Sequence, residues 1–226
     1  MKQPANRSLL LGIHRRLFSA FGPQHWWPGE TPFEIMVGAI LTQNTNWGNV
    51  ERAVANLKAA GLLEPRRLAA CPRARLARLI RPSGYYNIKA QRLHEFLAWL
   101  CARIEGDDAL SLRRAPLPRL RHDLLQVRGI GPETADSILL YALGKSTFVV
   151  DAYTRRFMSR HDLISPNAGY AEIQELFQDS LPRSVRLYNE YHALIVRLGK
   201  EICRPRPLCA QCPLLDPLGP PRMTAK

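Results

Sequence analysis

Apolar residues recur three and four positions apart over eight stretches of the chain: 34–41, 49–60, 73–80, 88–104, 117–127, 133–143, 170–181 and 185–202. That spacing places the apolar side chains on one face of an α-helix. Breakers stand between the stretches, at Gly61, Pro72, Pro82 with Gly84, Pro116, Gly129 with Gly131, Gly144, Pro166 and Pro182. The β-branched and aromatic run at 147–150 is the one extended-looking piece, and it is too short to found a sheet. The pattern predicts an all-α protein. Residues 203–221 depart from it, with six of the 18 prolines and three of the five cysteines. No helix is expected there, and something other than a hydrophobic core should organise the segment.

Composition narrows the class. The chain has 226 residues, 46% of them hydrophobic, enough for one ample core or two small domains without disulfides or dimerisation. A monomer is expected. The longest apolar runs, 35–41 and 138–143, fall far short of the roughly 20 residues of a membrane helix. The apolar cluster at 9–11 is too short for a secretory signal, so the expectation is a cytoplasmic protein without membrane contact. Lys and Arg number 32 against 19 Asp and Glu, a formal charge of +13, and 26 of the basic residues are Arg. The guanidinium fork suits phosphate, which makes a polyanion, nucleic acid first, the leading partner. A GC-rich genome also enriches Arg, so charge alone does not identify that partner.

The most informative segment runs Leu124-Leu125-Gln126-Val127-Arg128-Gly129-Ile130-Gly131-Pro132-Glu133-Thr134-Ala135-Asp136. One helix ends, Gly-Ile-Gly makes a tight turn, and Pro132 opens the next helix where its missing N–H costs nothing. Two glycines around an inward-pointing Ile130 let the backbone approach a phosphate, and the following helix N-terminus adds its positive end. Ala135 is small enough for the two helices to cross closely. This is a helix-hairpin-helix pattern for gripping the DNA backbone without reading sequence. Further on, Phe148-Val149-Val150-Asp151-Ala152-Tyr153-Thr154-Arg155-Arg156 delivers an aspartate to the start of a helix. Read alone, that residue is an ordinary N-cap.

The hairpin, Asp151 and Arg155 together resemble the endonuclease III superfamily of DNA glycosylases, over nearly the whole chain. The resemblance implies that Asp151 is the essential carboxylate and that Gly129, Ile130, Gly131, Thr134 and Arg155 serve DNA binding. Ile40-Leu41-Thr42-Gln43-Asn44-Thr45 is similar to the segment whose Gln enters the base stack at the vacated position, which implies DNA contacts for Gln43 and Asn44. Arg81-Pro82-Ser83-Gly84-Tyr85-Tyr86-Asn87-Ile88-Lys89-Ala90 is similar to a second approach to the backbone and implies one for Lys89. Bifunctional members carry a Lys directly before the Thr-Ala pair, whose amine forms a Schiff base at the sugar; here Glu133 stands in that place. A carboxylate forms no imine, which implies glycosylase activity without lyase activity. Glu133 is either a second catalytic acid that tunes water near the sugar or a helix-dipole partner.

His25-Trp26-Trp27-Pro28, Thr45-Asn46-Trp47 and Glu133 resemble, more narrowly, the 3-methyladenine DNA glycosylase branch. There an aromatic of the Trp-Trp-Pro loop and one at the Trp47 position sandwich the flipped base. The base pocket implied is Trp26, Trp27, Pro28 and Trp47, and a cationic methylated purine would gain from such electron-rich faces. Cys203, Cys209 and Cys212 look like the iron–sulfur loop of the superfamily, with Leu218 where the fourth cysteine is expected. A 4Fe-4S cluster with Asp216 as a fourth ligand, a zinc ion on the same donors, and a loop without metal all remain open. Cys71 and Cys101 read as core thiols, and the histidines show no metal spacing.

The resemblance further implies two helical domains flanking a DNA-binding cleft, residues 30–144 and residues 1–29 with 145–226, with Asp151 lining the cleft. The expected activity is excision of a damaged base, an alkylated purine such as 3-methyladenine, from double-stranded DNA. The rivals are a bifunctional endonuclease III-type enzyme acting on oxidised pyrimidines and a non-catalytic protein that binds damaged DNA.

Overall fold

The structure is a computed structural model and describes residues 3–221. Twelve α-helices and no strand occur among the described residues. They are α1 Gln3–Phe21, α2 Pro32–Leu41, α3 Trp47–Ala59, α4 Pro65–Ala69, α5 Arg73–Leu79, α6 Tyr86–Cys101, α7 Leu117–Leu125, α8 Pro132–Ser137, α9 Ala152–Arg160, α10 Tyr170–Ser180, α11 Val185–Glu201 and α12 Leu215–Leu218. The all-α expectation is met. The stretch 133–143 divides into α8 and a π-helical segment, Ile138–Ala142, closed by a bond from the Leu143 N–H to the Ile138 carbonyl. Such wide turns often mark functional sites. No helix among the described residues is long and apolar enough to cross a membrane.

The chain divides into two compact units, Trp27–Lys145 and, from the two ends, Met1–Trp26 with Ser146–Lys226. In the unit of residues 27–145, α2 is apolar on nearly every face, with Phe33, Met36, Val37, Ile40 and Leu41 all buried. A helix of that kind must be wrapped, and α3, α6, α8 and the π-helical segment wrap it. Its start is fixed locally: the Thr31 hydroxyl accepts from the Glu34 N–H at 3.1 Å, Pro32 opens the helix, and Glu34 accepts from the Glu30 N–H.

In the second unit α1 packs against α10 and α11, and α9 against α11. Phe148 and Phe177 stack at 4.0 Å, Tyr188 and Tyr191 meet Phe148 edge-on, and the Tyr191 hydroxyl donates to the Leu10 carbonyl at 2.8 Å. The segment 147–150 supplies this core as extended chain outside any sheet, with the Gln174 amide donating to the Phe148 carbonyl. Gly199 lets α11 pass beneath Tyr153; a Cβ there would fall 2.4 Å from the ring. The cysteine-rich tail does contain helix, against the expectation for 203–221: one 3-10 turn, Cys209–Gln211, and the single turn α12.

Lys89 corrects the sequence reading. A 3-10 turn at Arg81–Ser83, then Gly84 at φ 68° and Tyr85 at φ 46°, start α6 so that Lys89 points inward. Its side chain is 1% exposed, and its ammonium donates to the carbonyls of Leu41 at 2.8 Å and Ser83 at 2.6 Å. An amine so enclosed joins α6 to the end of α2 and does not reach a phosphate. Burial, helped by the Arg92 charge, pushes its pKa down from 10.5 to about 8. Between those values the unfolded chain binds more protons than the folded one, so rising pH favours folding. Lys89→Met, which strands both carbonyls, is expected to cost about 2 kcal/mol at pH 7. Denaturant unfolding should show the gap to the unsubstituted protein widening above pH 8.

Candidate functional site

The hairpin joins α7 to α8 through Val127–Gly131, a stretch whose shape rests on one glycine. Gly129 lies at φ 88°, and a Cβ there would fall 2.4 Å from the Arg92 side chain. Gly131 caps α8 in ordinary extended backbone, and nothing stands within 4 Å of where its Cβ would be. That open space lets a phosphate reach the first N–H groups of α8. Ile130 is buried in the core of its unit, as an anchor should be. Asp136, fully buried on α8, takes a two-pronged bond from Arg121 of α7, Nε to Oδ1 at 2.8 Å and Nη2 to Oδ2 at 3.0 Å. Glu133 is exposed in the first turn of α8.

Gln43 joins the hairpin directly. Its Nε2 donates to the Gly129 carbonyl and the Thr134 hydroxyl, each at 3.0 Å, while Arg92 of α6 donates to its Oε1. It is thus neither a solvent-facing helix-end residue nor a free probe. Asn44, exposed and at φ 53°, makes the turn that follows. Gln43, Gly129 and Thr134 come together through these bonds, and Arg92 completes the group.

In the other unit Asp151 caps α9. Its Oδ1 accepts from the Thr154 N–H at 2.7 Å and the Thr154 hydroxyl at 2.9 Å, which directs Oδ2 toward Nε2 of His192, 3.6 Å away. The N-cap reading and the carboxylate-for-chemistry reading describe one residue, since the cap fixes the orientation. His192 is 5% exposed, and burial lowers its pKa while Asp151 partly opposes the shift, so near pH 7 a neutral ring faces the carboxylate. Arg155, half-buried, donates to the Ala168 carbonyl and ties the following loop to α9.

The aromatic loop splits between the units. Trp27 packs against Trp47 edge to face, centroids 5.1 Å apart at 87°, and against Tyr141 at 5.3 Å. Trp27 also sits on Gly38, whose missing Cβ gives it room. Two rings in that arrangement leave no slot for a base between them. Trp26 lies in the unit of Asp151, with Lys200 Nζ 5.6 Å over its ring. The Trp47 Nε1–H donates to Glu51 Oε1 at 2.6 Å. Trp27, Pro28 and Trp47 wall a recess of about 190 Å³ together with Glu34, Glu51 and Lys58.

Cys203, Cys209 and Cys212 line one small cavity with His161, Ile202 and Leu215. Burial pushes the Cys212 thiol up, and the neighbouring Cys203 and Cys209 add to the shift. Among the described residues no three His, Cys, Asp or Glu side chains stand at the spacing of a single-ion site. The donor set, three thiols around one cavity, is that of an iron–sulfur or zinc group in kind. Asp216 does not join it: the residue is exposed on α12 and absent from the cavity wall.

Sequence reading missed Arg92, the Arg121–Asp136 pair, His192 and Glu51. Glu51 had a signal, one helical turn after Trp47. His192 had none, since a histidine between Tyr191 and Ile195 on an apolar helix face reads as core.

Residues 37–183 match the HhH-GPD superfamily of base excision DNA repair proteins. A protein of Methanocaldococcus jannaschii provisionally named as a DNA repair glycosylase, MJ1434, is 46% identical over 208 residues, 92% of this chain and 94% of its own. The crystal structure of H. pylori 3-methyladenine DNA glycosylase (MagIII) bound to 1,N6-ethenoadenine is similar with a TM-score of 0.73 and 28% identity, covering 87% of this chain and 97% of that one. A non-covalent endonuclease III–DNA complex shares the fold, with a TM-score of 0.77 at 21% identity over 93% of this chain and 94% of that one. With a hairpin open to phosphate, a capped aspartate and a match across most of its length, the chain belongs to the HhH-GPD superfamily of base excision DNA repair proteins.

Proposed function

We propose that this DNA repair glycosylase excises an alkylated purine, of the 3-methyladenine kind, by hydrolysis and without strand cleavage. The observation that carries the reading is the bond from the Trp47 indole N–H to the Glu51 carboxylate. A carboxylate on the N–H of an indole raises the electron density of its ring, and an electron-rich face favours a cationic base over a neutral one. Trp47 is the face assigned to the base, with Trp27 and Pro28 beside it as support. The similar H. pylori enzyme is a 3-methyladenine DNA glycosylase and its structure holds a modified adenine.

The chemistry needs few groups. Hairpin N–H groups and the basic surface hold the phosphates of double-stranded DNA, and Gln43 and Asn44 fill the place that the nucleotide leaves. Gln43 must first give up its bonds to Gly129 and Thr134. As the bond from C1′ to the purine breaks, its electron pair passes to the cationic base, which departs neutral. Water adds to C1′, and its proton goes to the Asp151 carboxylate, which also stabilises the positive sugar. Exposed at the N-terminus of α8, Glu133 serves the helix dipole and supplies no imine-forming amine. The lysines of the described residues are otherwise engaged: Lys58 with Glu30 and Glu34, Lys89 and Lys145 with backbone carbonyls, Lys200 over Trp26. Cys203, Cys209 and Cys212 are assigned to an iron–sulfur cluster, which when bound would brace a loop carrying Arg204 and Arg206.

Duplexes containing 3-methyladenine, thymine glycol or an abasic site test the reading. Free base released without nicking is expected, whereas borohydride trapping of the protein on DNA would replace it with a lyase. Trapping that disappears in Lys200→Met would identify the amine. Asp151→Asn keeps a good helix cap, so it should abolish base release while leaving melting temperature and duplex affinity nearly unchanged. Glu51→Gln should narrow the preference for a cationic methylated base over a neutral lesion by about threefold to tenfold, the scale of one such interaction. An unchanged ratio removes Glu51 from specificity.

A further inference from the structure

The cavity of the cysteine loop has a fourth wall that the cysteine spacing gives no hint of. Helix α9 ends at His161, and its last turn is fastened to the beginning of the loop by two arginines. Arg156 donates from Nε to the Cys203 carbonyl and from Nη2 to the Gly199 carbonyl, both at 2.8 Å. Arg160 donates from Nη1 to the Arg204 carbonyl at 2.7 Å and the Cys203 sulfur at 3.3 Å, and from Nη2 to the Pro205 carbonyl at 2.9 Å. These bonds fix His161 in register with Cys203, and its ring lines the same cavity as the three thiols.

The His161 Nδ1 is fully buried and makes no hydrogen bond in the structure. The remaining wall, Ile202, Pro207, Leu215, Gly219 and Pro221, offers it no side-chain partner. Buried polar nitrogens are rarely left so, and one on a ring that shares a cavity with three thiols is explained if its lone pair belongs to a ligand. The competing donor positions are closed. Leu218 holds the place of a fourth cysteine, and Asp216 is exposed away from the cavity. A zinc ion would draw its ligands to about 2.3 Å of a single point, whereas a four-iron cluster binds each ligand through a different iron. The cavity wall carries four such donors, three thiols and one imidazole.

We propose that His161 is the fourth protein ligand, through Nδ1, of an iron–sulfur cluster held by Cys203, Cys209 and Cys212. The proposal rests on the assignment of a cluster to this loop and is independent of which base is excised. Imidazole is neutral where thiolate is anionic, so the cluster would carry one negative charge fewer than a four-cysteine one beside Arg156, Arg160, Arg204 and Arg206. Replacement of thiolate by imidazole raises a cluster's reduction potential.

The test is made on full-length protein purified without oxygen, with iron analysis and absorbance near 400 nm. Pulsed EPR is then recorded on the cluster after γ-irradiation at low temperature, which reduces it in the frozen protein. A strongly coupled 14N signal is expected, and His161→Cys should retain iron and colour while losing it. His161→Ala should bind less iron per chain than either. An iron-bearing protein without the 14N signal, or with the signal unchanged in His161→Cys, overturns the histidine and leaves the cluster standing. An iron-free, colourless protein that is folded by circular dichroism overturns both.

Discussion

The hairpin depends on a charge buried without access to water. Asp136 is fully enclosed on α8, and its carboxylate stays inside because the Arg121 fork from α7 meets both oxygens. A buried pair of this kind adds little net stability, but loss of the Arg121 fork is costly because the Asp136 carboxylate is fully enclosed. Its consequence is geometric: two helices that a five-residue turn could join at several angles are locked at one. Gly129 then lies against Arg92, Arg92 reaches Gln43, and Gln43 returns to Gly129 and Thr134. The open backbone at Gly131 is thus presented by a closed ring of side chains.

Much of this was readable in the chain, and the rest escaped for identifiable reasons. Each of the eight periodic stretches falls on helix and Gly-Ile-Gly-Pro located the turn, because both are local signals, whereas α1, the longest helix, and α9 were outside those stretches. Lys89 was misread because its direction depends on Gly84 and Tyr85 both adopting positive φ, which rotates the start of α6. Adjacent Trp26 and Trp27 were read as one pocket, yet the unit boundary falls between them and gives each its own packing. Asp136 looked like part of a motif tail, since its partner lies a full helix earlier in the chain. His161 stood 42 residues from Cys203 with no metal spacing in between; only the folding back of α9 brings them to one cavity.

The arginine excess also changes meaning. The 26 arginines were read as suited to phosphate, and many of the guanidinium groups cap backbone carbonyls. Arg66 bonds Gly106, Arg113 bonds Leu143, Arg197 bonds Phe21, and Arg156 and Arg160 together bind four carbonyls of α11 and the cysteine loop. The fork geometry does what a lysine amine does less well, binding two acceptors in a fixed plane.

Structural use of this kind does not spend the charge. A carbonyl is a dipole, so a guanidinium that caps one keeps its full +1 and still contributes to the field around the molecule. Only the arginines paired with carboxylates, such as Arg121 with Asp136, are neutralised. The chain therefore obtains rigidity and attraction for phosphate from the same residues, and the positive groups are anchored at fixed places. Affinity and architecture are coupled as a result: an arginine replaced to weaken DNA binding will often loosen a helix end or a loop as well. Substitutions at carbonyl-capping positions should be compared with those at exposed ones, such as Arg128 in the hairpin turn, before a loss of binding is attributed to charge.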